Sequence, residues 1–283
     1  MKFKLATFIL FIAVNSFGQA PLWMRYPVIS PDGSQIAFNY KGDIYIVDTE
    51  GGKAQAITTH SAHDFMPTWA PDGKSIAFAS NRYGNYDIFI MPSIGGNAKR
   101  LTHHSSDDYP NSIDRAGHIY FSSSRLDSYL NSQFPSGVLS ELYSINENGD
   151  LSQVLTTPAE NSVWNKDKTK LIYHDRVGYE NAWRKHHTSS VTRDIWLYDV
   201  KTKEHTQLTD FNGEDRNPVW SKNEQFFYYL SEESGDFNVW KKNIAEGVKT
   251  QITNFKNHPV RFLSSSNDGL LSFGFDGELY TMK

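Results

Sequence analysis

Short apolar stretches alternate with turn residues along the chain, and this pattern repeats. Residues 27–38 match residues 67–78 nearly position by position, each with a Pro-Asp-Gly turn between two apolar stretches. Weaker copies start near residues 110, 162, 218 and 259. Proline presets φ and glycine accepts positive φ, so Pro-Asp-Gly predicts a tight turn between two antiparallel strands. The repeat therefore predicts a series of hairpin-based units.

Two further strands follow each hairpin in the pattern. The third begins with a polar residue and then alternates, as in Asp43–Ile46 and Asp87–Ile90. The fourth is an aliphatic-Thr element such as Leu101-Thr102. Four strands in a repeating unit of about 40 residues are typical of β-propeller blades. We therefore predict an all-β, six-bladed propeller of four-stranded antiparallel blades. A solenoid is less favoured, because its end repeats need polar caps and the end units here resemble the middle ones.

The sixth unit ends at Lys283, just after its third strand, so the last blade is predicted to be incomplete. An unpaired edge strand promotes aggregation. We expect either that a segment around Leu22–Arg25 supplies the outer strand or that the chain is a fragment.

The first 20 residues have the features of an export signal. Lys2 and Lys4 precede an apolar run over residues 5–14, and small residues Gly18 and Ala20 follow. The run is about half of the ~20 residues that span a bilayer as a helix, which favours a cleaved signal over a permanent anchor. We predict a signal peptide over 1–20, a single propeller domain over 21–283, and an exported, periplasmic or secreted protein.

Composition excludes several kinds of chemistry. Aromatic residues make up 14% of the chain, which suits β-structure. The net charge of −4 disfavours nucleic-acid binding. The absence of cysteine excludes disulfides and thiol catalysis. The sequence contains neither Gly-x-Ser-x-Gly nor His-Glu-x-x-His, so we predict no catalytic residue, no metal site and no cofactor.

Longer stretches carry a family resemblance. The Ser-Pro-Asp-Gly, Ile-Ala-Phe and Leu-Thr elements resemble the TolB-type propeller repeat. Residues 22–27, 183–196, 213–218 and 258–262 resemble the N-terminal six-bladed propeller of exported bacterial tricorn-type serine peptidases. In that family the propellers act as a passage and filter for peptides, and the catalytic serine and histidine lie outside this first propeller. The resemblance therefore implies a peptidase parent and no active site in this chain.

Candidate binding residues lie where the repeat is interrupted. Long insertions at 122–140 and 174–193 account for most of the excess length of units three and four, and functional loops are often carried on rigid scaffolds in this way. The second insertion is basic, with Arg184, Lys185, His186, His187 and Arg193. Its alternative role is simple packing between domains. We expect Arg184 or Arg193 to be partly buried and to point at the channel or at a neighbouring domain.

An acidic residue also recurs three positions before the first-strand proline, at Asp64, Asp107 and Asp215. These acids either ring a central channel and screen charged peptides or bond the backbone of their own turns. Strand order places them on the same propeller face as the two insertions.

Two functions remain open. The first is a non-catalytic propeller that guides peptides or contacts protein domains for a peptidase core outside this chain, with downstream peptidase domains or further copies as partners. The alternative is a self-standing, TolB-like periplasmic propeller that binds proteins. A reading frame that continues into a peptidase core would favour the first, and a true stop would favour the second.

Overall fold

The computed structural model describes residues 23–125, 139–178, 183–184, 186 and 188–283, and these residues form 23 strands and no helix. The strands make six antiparallel sheets, five of four strands and one of three, and within each sheet they follow one another in chain order. This arrangement confirms the predicted six-bladed propeller.

The first three blades contain twelve strands. Blade 1 consists of β1 (Arg25–Ile29), β2 (Gln35–Tyr40), β3 (Asp43–Asp48) and β4 (Gln55–Ala56). Blade 2 consists of β5 (Asp64–Trp69), β6 (Ser75–Ser80), β7 (Asp87–Pro92) and β8 (Lys99–Arg100). Blade 3 consists of β9 (Asp108–Ile113), β10 (Ile119–Ser123), β11 (Glu141–Ile145) and β12 (Leu151–Leu155).

The last three blades contain eleven strands. Blade 4 consists of β13 (Glu160–Trp164), β14 (Lys170–His174), β15 (Ile195–Asp199) and β16 (His205–Gln207). Blade 5 consists of β17 (Asp215–Trp220), β18 (Phe226–Ser231), β19 (Asn238–Asn243) and β20 (Lys249–Gln251). Blade 6 consists of β21 (Arg261–Ser265), β22 (Leu271–Phe275) and β23 (Glu278–Met282). Each blade begins within three residues of the start expected from the repeat.

The turn between the first two strands forms as the sequence predicts. In blade 1 the Gly33 amide donates to the Ser30 carbonyl at 2.9 Å, with Gly33 at a φ of 78°. The Asp32 carboxylate accepts from the Ser34 amide at 3.0 Å. Proline, aspartate and glycine therefore each serve a separate need of the turn.

Neighbouring blades are joined by apolar side chains from both sheets. Leu101, next to the outermost strand of blade 2, is buried with Ile119, Phe121, Tyr143 and Ile145 of blade 3. Ile57 is buried in the same way between blades 1 and 2. Burial of apolar surface is the main favourable term in folding, so the aliphatic-Thr element holds one blade against the next.

Blade 6 has three strands, with β23 at its edge. The Met24 amide donates to the Gly277 carbonyl at 3.1 Å, and the chain then enters β1, the innermost strand of blade 1. The expectation that residues around 22–25 form the outer strand of blade 6 is therefore wrong for residues 23–25, and Leu22 lies outside the described residues. Within the described part of the chain, no helix is long and apolar enough to cross a membrane.

Candidate functional site

A central cavity of about 610 Å³ is lined by the innermost strands of all six blades. It reaches from the first-hairpin turns, at Pro31, Pro71 and Asn267, to the opposite face, at Arg176 and Trp183. Cavities of this size are typical of ligand sites.

A β-bulge in each innermost strand shapes the wall of this cavity. In five blades the residue at the bulge has a φ near 50–60° and lines the cavity: Tyr26, Met66, Asn161, Asn217 and Phe262. Bulges re-aim side chains and are common next to functional sites. The bulge therefore explains why these side chains leave the simple in-and-out alternation of a strand.

One side of the cavity is aromatic. Tyr26 of blade 1 lies 5.4 Å from Phe65 of blade 2 and 4.4 Å from Phe262 of blade 6, measured between ring centroids. Phe65 lies 5.9 Å from Tyr109 of blade 3. The rings make a continuous apolar arc across blades 6, 1, 2 and 3. Such edge-to-face and tilted pairs contribute about 0.5–1.5 kcal/mol each beyond the area they bury.

The other side of the cavity is charged. Its ionisable lining residues in blades 4 to 6 are Glu160, His174, Arg176, Arg193, Arg216 and Arg261. Four arginines against one glutamate leave three net positive charges when His174 is neutral. Among the described residues, the cavity wall is therefore cationic on one side and aromatic on the other.

His174 is held neutral and in one tautomer. Its Nδ1 accepts from the Asn217 backbone amide at 3.1 Å, so the proton of the neutral ring lies on Nε2, which is 3.6 Å from the Glu160 carboxylate. Burial, together with the charge of Arg193, lowers the pKa of His174. Burial opposes ionisation of Glu160, but His174 and the charges of Arg193 and Arg176 outweigh it and lower the pKa of Glu160 to about 2.

Arg193 lies at the centre of a buried ion-pair network. Its Nη1 is 2.7 Å from Glu214 Oε1, and Glu214 is only 2% exposed. Glu214 Oε1 is also 3.5 Å from Arg216 Nε. Burial lowers the pKa of Arg216 to about 10, which leaves the guanidinium charged at neutral pH. The network fixes arginine side chains at the cavity wall, where planar guanidinium groups suit carboxylates.

Trp183 brings the blade 4 insertion across the cavity mouth. Two guanidinium groups contact its ring, Arg25 of blade 1 at 4.8 Å and Arg261 of blade 6 at 4.7 Å from the ring centroid. It also lies 6.2 Å from the Phe262 ring. Cation–π contacts of this kind contribute about 0.5–1 kcal/mol at exposed sites. Trp183 thus contacts both the aromatic side of the cavity, at Phe262, and the charged side, at Arg261.

The basic insertion divides into buried and exposed parts. Arg193 is buried and lines the cavity, in line with the expectation that Arg184 or Arg193 points at the channel. Arg184 is exposed. The backbone amide of His186 donates to Glu232 at 2.7 Å, and the side chain is exposed. Lys185 and His187 lie outside the described residues.

The hypothesis that Asp64, Asp107 and Asp215 ring the channel needs correction, because none of the three lines the cavity. Asp64 is buried and pairs with Arg82, just after β6, at 2.7 Å. Asp107 accepts from the Tyr86 amide at 2.9 Å, which is the bonding of a loop aspartate to a backbone. The next residue after the buried acid, Phe65 or Arg216, is the one that faces the channel.

The register of blade 3 differs by one residue from the register that the prolines suggested. Asp64 pairs with Ser80 and Asp108 pairs with Ser123, so Asp108, and not Asp107, is the counterpart of Asp64. Asp108 forms an ion pair with Arg125, the counterpart of Arg82. In blade 5 the position equivalent to these arginines is Glu233, and burial raises the pKa of Asp215 to about 7.

Sequence reasoning missed Glu160, His174, Glu214, Arg216 and Arg261. A signal was present for Arg216, because Phe65 and Arg216 both stand two residues before a first-strand proline and both line the cavity. Glu160 pairs with residues 14 to 33 positions away, and the Arg193–Glu214 pair joins blade 4 to blade 5, so no local pattern shows these contacts.

A cavity lined by arginines and aromatic rings suits the binding of a ligand through ion pairs and apolar contacts. Among the described residues, no group of three or more His, Asp or Glu side chains is placed to hold a metal ion.

Comparison with known proteins agrees with this architecture. The family model described as the tricorn protease N-terminal beta propeller domain matches residues 21–283. A crystal structure of the tricorn protease aligns with 93% of this chain and 25% of its own, with a TM-score of 0.76 and 17% identity. TolB from Acinetobacter baumannii aligns with 85% of this chain and 56% of its own, with a TM-score of 0.63 and 18% identity. At such identities the two structures show a shared fold.

The matches found by sequence comparison cover shorter segments of the chain than the structural matches do. Tricorn protease homolog 1 of Streptomyces coelicolor is 34% identical over 65 residues, which are 23% of this chain and 6% of that protein. The aligned segments cover 6–11% of the length of the curated relatives that the chain matches.

Proposed function

The chain belongs to the tricorn protease N-terminal β-propeller family, and from this premise we propose that it is the non-catalytic propeller part of a tricorn-like serine peptidase. Its role is to guide peptides toward or away from a peptidase core outside this chain. The observation that carries the proposal is the central cavity of about 610 Å³, whose lining runs from one propeller face to the other.

The chemistry of the wall supports a peptide as the ligand. Aromatic rings such as Phe65 and Tyr109 offer apolar surface to side chains of any sequence. Arginines at the wall, including Arg216 and Arg261, offer paired N–H donors to carboxylates. We therefore propose that the channel favours peptides with a free carboxylate over neutral ones of the same length.

A binding experiment tests this proposal. Labelled peptides that differ only in a C-terminal carboxylate or carboxamide are titrated into the protein, and fluorescence anisotropy is recorded at two salt concentrations. We expect the carboxylate peptide to bind more tightly and to lose affinity in salt, since exposed charges are screened. Arg261→Glu should weaken it at least tenfold. Arg115→Glu, on an exposed turn of blade 3, is the matched control and should change nothing.

Absence of saturable binding for both peptides would refute peptide guidance. The second candidate is then a self-standing, TolB-like propeller that binds folded proteins; TolB from Acinetobacter baumannii shares the fold. In that case Arg261→Glu would leave peptide binding undetectable while changing capture of a folded partner.

Export is part of the proposal. Residues 1–20 carry a basic start, an apolar run and a small-residue exit, which are the parts of a secretory signal. N-terminal sequencing of the mature protein should give a start just after Gly18 or Ala20. A mature protein that still begins at Met1 would contradict this step.

A further inference from the structure

Three residues of the channel wall have a backbone conformation that their side chains disfavour. Tyr26, Met66 and Phe262 have φ values of 51°, 53° and 60°. Residues other than glycine rarely adopt this left-handed region, because Cβ crowds the backbone there. Such strained positions persist only where the surrounding structure holds them, and they concentrate at ligand sites. The choice of a large apolar side chain at these three positions therefore needs an explanation.

The β-bulge does not by itself require large apolar residues. By register, the equivalent positions in blades 4 and 5 are Asn161 and Asn217, with φ values of 48° and 52°. Asparagine is one of the few residue types that tolerate this region. Asn217 also donates to Asn161 at 3.0 Å along the cavity wall. An asparagine thus satisfies the bulge and joins two blades at once, yet blades 6, 1 and 2 carry apolar side chains instead.

The three apolar side chains face the channel from consecutive blades. All three are half-buried and line the cavity of about 610 Å³. The rings of Tyr26 and Phe262 lie 4.4 Å apart between centroids. Met66 follows Phe65, whose ring lies 5.4 Å from that of Tyr26. Methionine is flexible and polarisable, so it adapts to apolar groups of different shapes. Together the three residues give the aromatic side of the cavity an adaptable apolar surface.

We propose that Tyr26, Met66 and Phe262 bind an apolar side chain of the channel peptide and make the channel select peptides that carry one, an inference that rests on the proposed peptide-guiding function. The strained conformation is kept because glycine or asparagine would remove the contact surface. The wall then recognises two features of one peptide. The arginines, such as Arg216, hold its carboxylate, and the three strained residues hold a side chain of the size of leucine.

Two labelled peptides test this selectivity. They share a free C-terminal carboxylate and differ only in the residue before the last, which is leucine in one and serine in the other. Each is titrated into the whole chain, and binding is followed by fluorescence anisotropy. The parent should bind the leucine peptide about tenfold more tightly, because a buried leucine side chain contributes apolar transfer free energy that serine lacks.

Met66→Asn introduces into blade 2 the residue that blades 4 and 5 carry at this position. We expect the leucine peptide to bind about fivefold more weakly, since part of its apolar contact is lost. The serine peptide should bind as it does to the parent. Relief of backbone strain should offset the lost burial of Met66, so the melting temperature should stay within about 2 °C of the parent or rise. Phe262→Asn is a second variant at the same surface and should also reduce the preference for leucine.

Val154→Asn is the matched control. Val154 is half-buried in β12, the outermost strand of blade 3, and does not line the channel. Its backbone is not in the left-handed region, so this substitution removes apolar surface and relieves no strain. It should lower the melting temperature and leave both peptide affinities unchanged. The control and Met66→Asn thus predict opposite patterns of stability and binding.

Three results would overturn the proposal while leaving peptide guidance intact. The parent could bind the two peptides equally. The preference for leucine could survive in both Met66→Asn and Phe262→Asn. Met66→Asn could also lose as much stability as Val154→Asn with unchanged affinities, which would make Met66 a packing residue. Absence of saturable binding for both peptides would instead refute the proposed function and this inference with it. A weaker grip on the leucine peptide alone, in a variant as stable as the parent, supports the proposal.

Discussion

Replacing Arg193 by alanine should destabilise the protein by about 3 kcal/mol. The substitution removes the 2.7 Å partner of Glu214, which is 2% exposed. Breaking a buried ion pair by removing one partner costs about 3–5 kcal/mol, because the remaining charge stays buried. The lower end applies here, since Arg216 lies 3.5 Å from the same Glu214 oxygen and retains part of the attraction.

Urea unfolding measures this loss directly. The midpoint should fall with an unchanged slope, because the surface exposed on unfolding is the same. At roughly 2–4 °C per kcal/mol for a chain of this size, the melting temperature should fall by about 6–12 °C. Arg184→Ala, in the same insertion and exposed, should stay within about 0.5 kcal/mol of the parent.

A double-mutant cycle separates the ion pair from other contacts of Arg193. Glu214→Gln combined with Arg193→Ala should cost less than the two single changes added together, with a coupling of about 0.5–3 kcal/mol. A loss below 0.5 kcal/mol for Arg193→Ala, or strict additivity in the cycle, would refute the buried network as a source of stability.

Three other changes test separate parts of the structure. Burial raises the pKa of Asp215 to about 7 from a usual 3.8, so the folded state binds the extra proton between about pH 4 and 7. The stability that this proton contributes is complete below pH 4 and is lost as pH rises through 7. Asp215→Asn should therefore flatten the dependence of the unfolding free energy on pH between 4 and 7. An unchanged slope would contradict a buried carboxyl at this position. Phe65→Ala should cost about 3–5 kcal/mol in urea unfolding because Phe65 is buried in the aromatic arc, whereas Tyr83→Ala, at 65% exposure, should cost little. Trp183→Ala should cost about 1–2 kcal/mol, from two cation–π contacts, and a loss above 4 kcal/mol would show that its role in packing is larger.

The propeller was predictable because its signals are local and repeated. Ser30 to Ser34 specify a turn, and Leu101-Thr102 specifies an edge, without reference to distant residues. The register of blade 3 was not predictable from its proline, because Pro110 stands one strand position before the counterpart of Pro67. Side-chain pairing within the strands, and not the proline, sets that register.

The cavity chemistry was only partly predictable. The basic character of the insertion that carries Arg193 is visible in the sequence, but its partners Glu160 and Glu214 come from elements 33 and 21 residues away. Phe262, Tyr26, Phe65 and Tyr109 belong to four blades and meet only because the blades close into a ring. Long-range closure, which a local pattern does not encode, determines the aromatic and the charged arcs.

The central claim is that peptides occupy the propeller channel, and a chain without cysteine allows a direct measurement. Ser265→Cys places a single thiol in the cavity wall, and Ser93→Cys places one at the outer turn of blade 2; both serines are half-buried and donate to a backbone carbonyl. Each variant is alkylated by a haloacetyl peptide with a free C-terminal carboxylate, and each rate is divided by the rate with iodoacetamide. The account predicts that the ratio for Ser265→Cys is at least tenfold higher and falls when unlabelled peptide competes. Equal ratios at the two positions, unaffected by competitor, would contradict it.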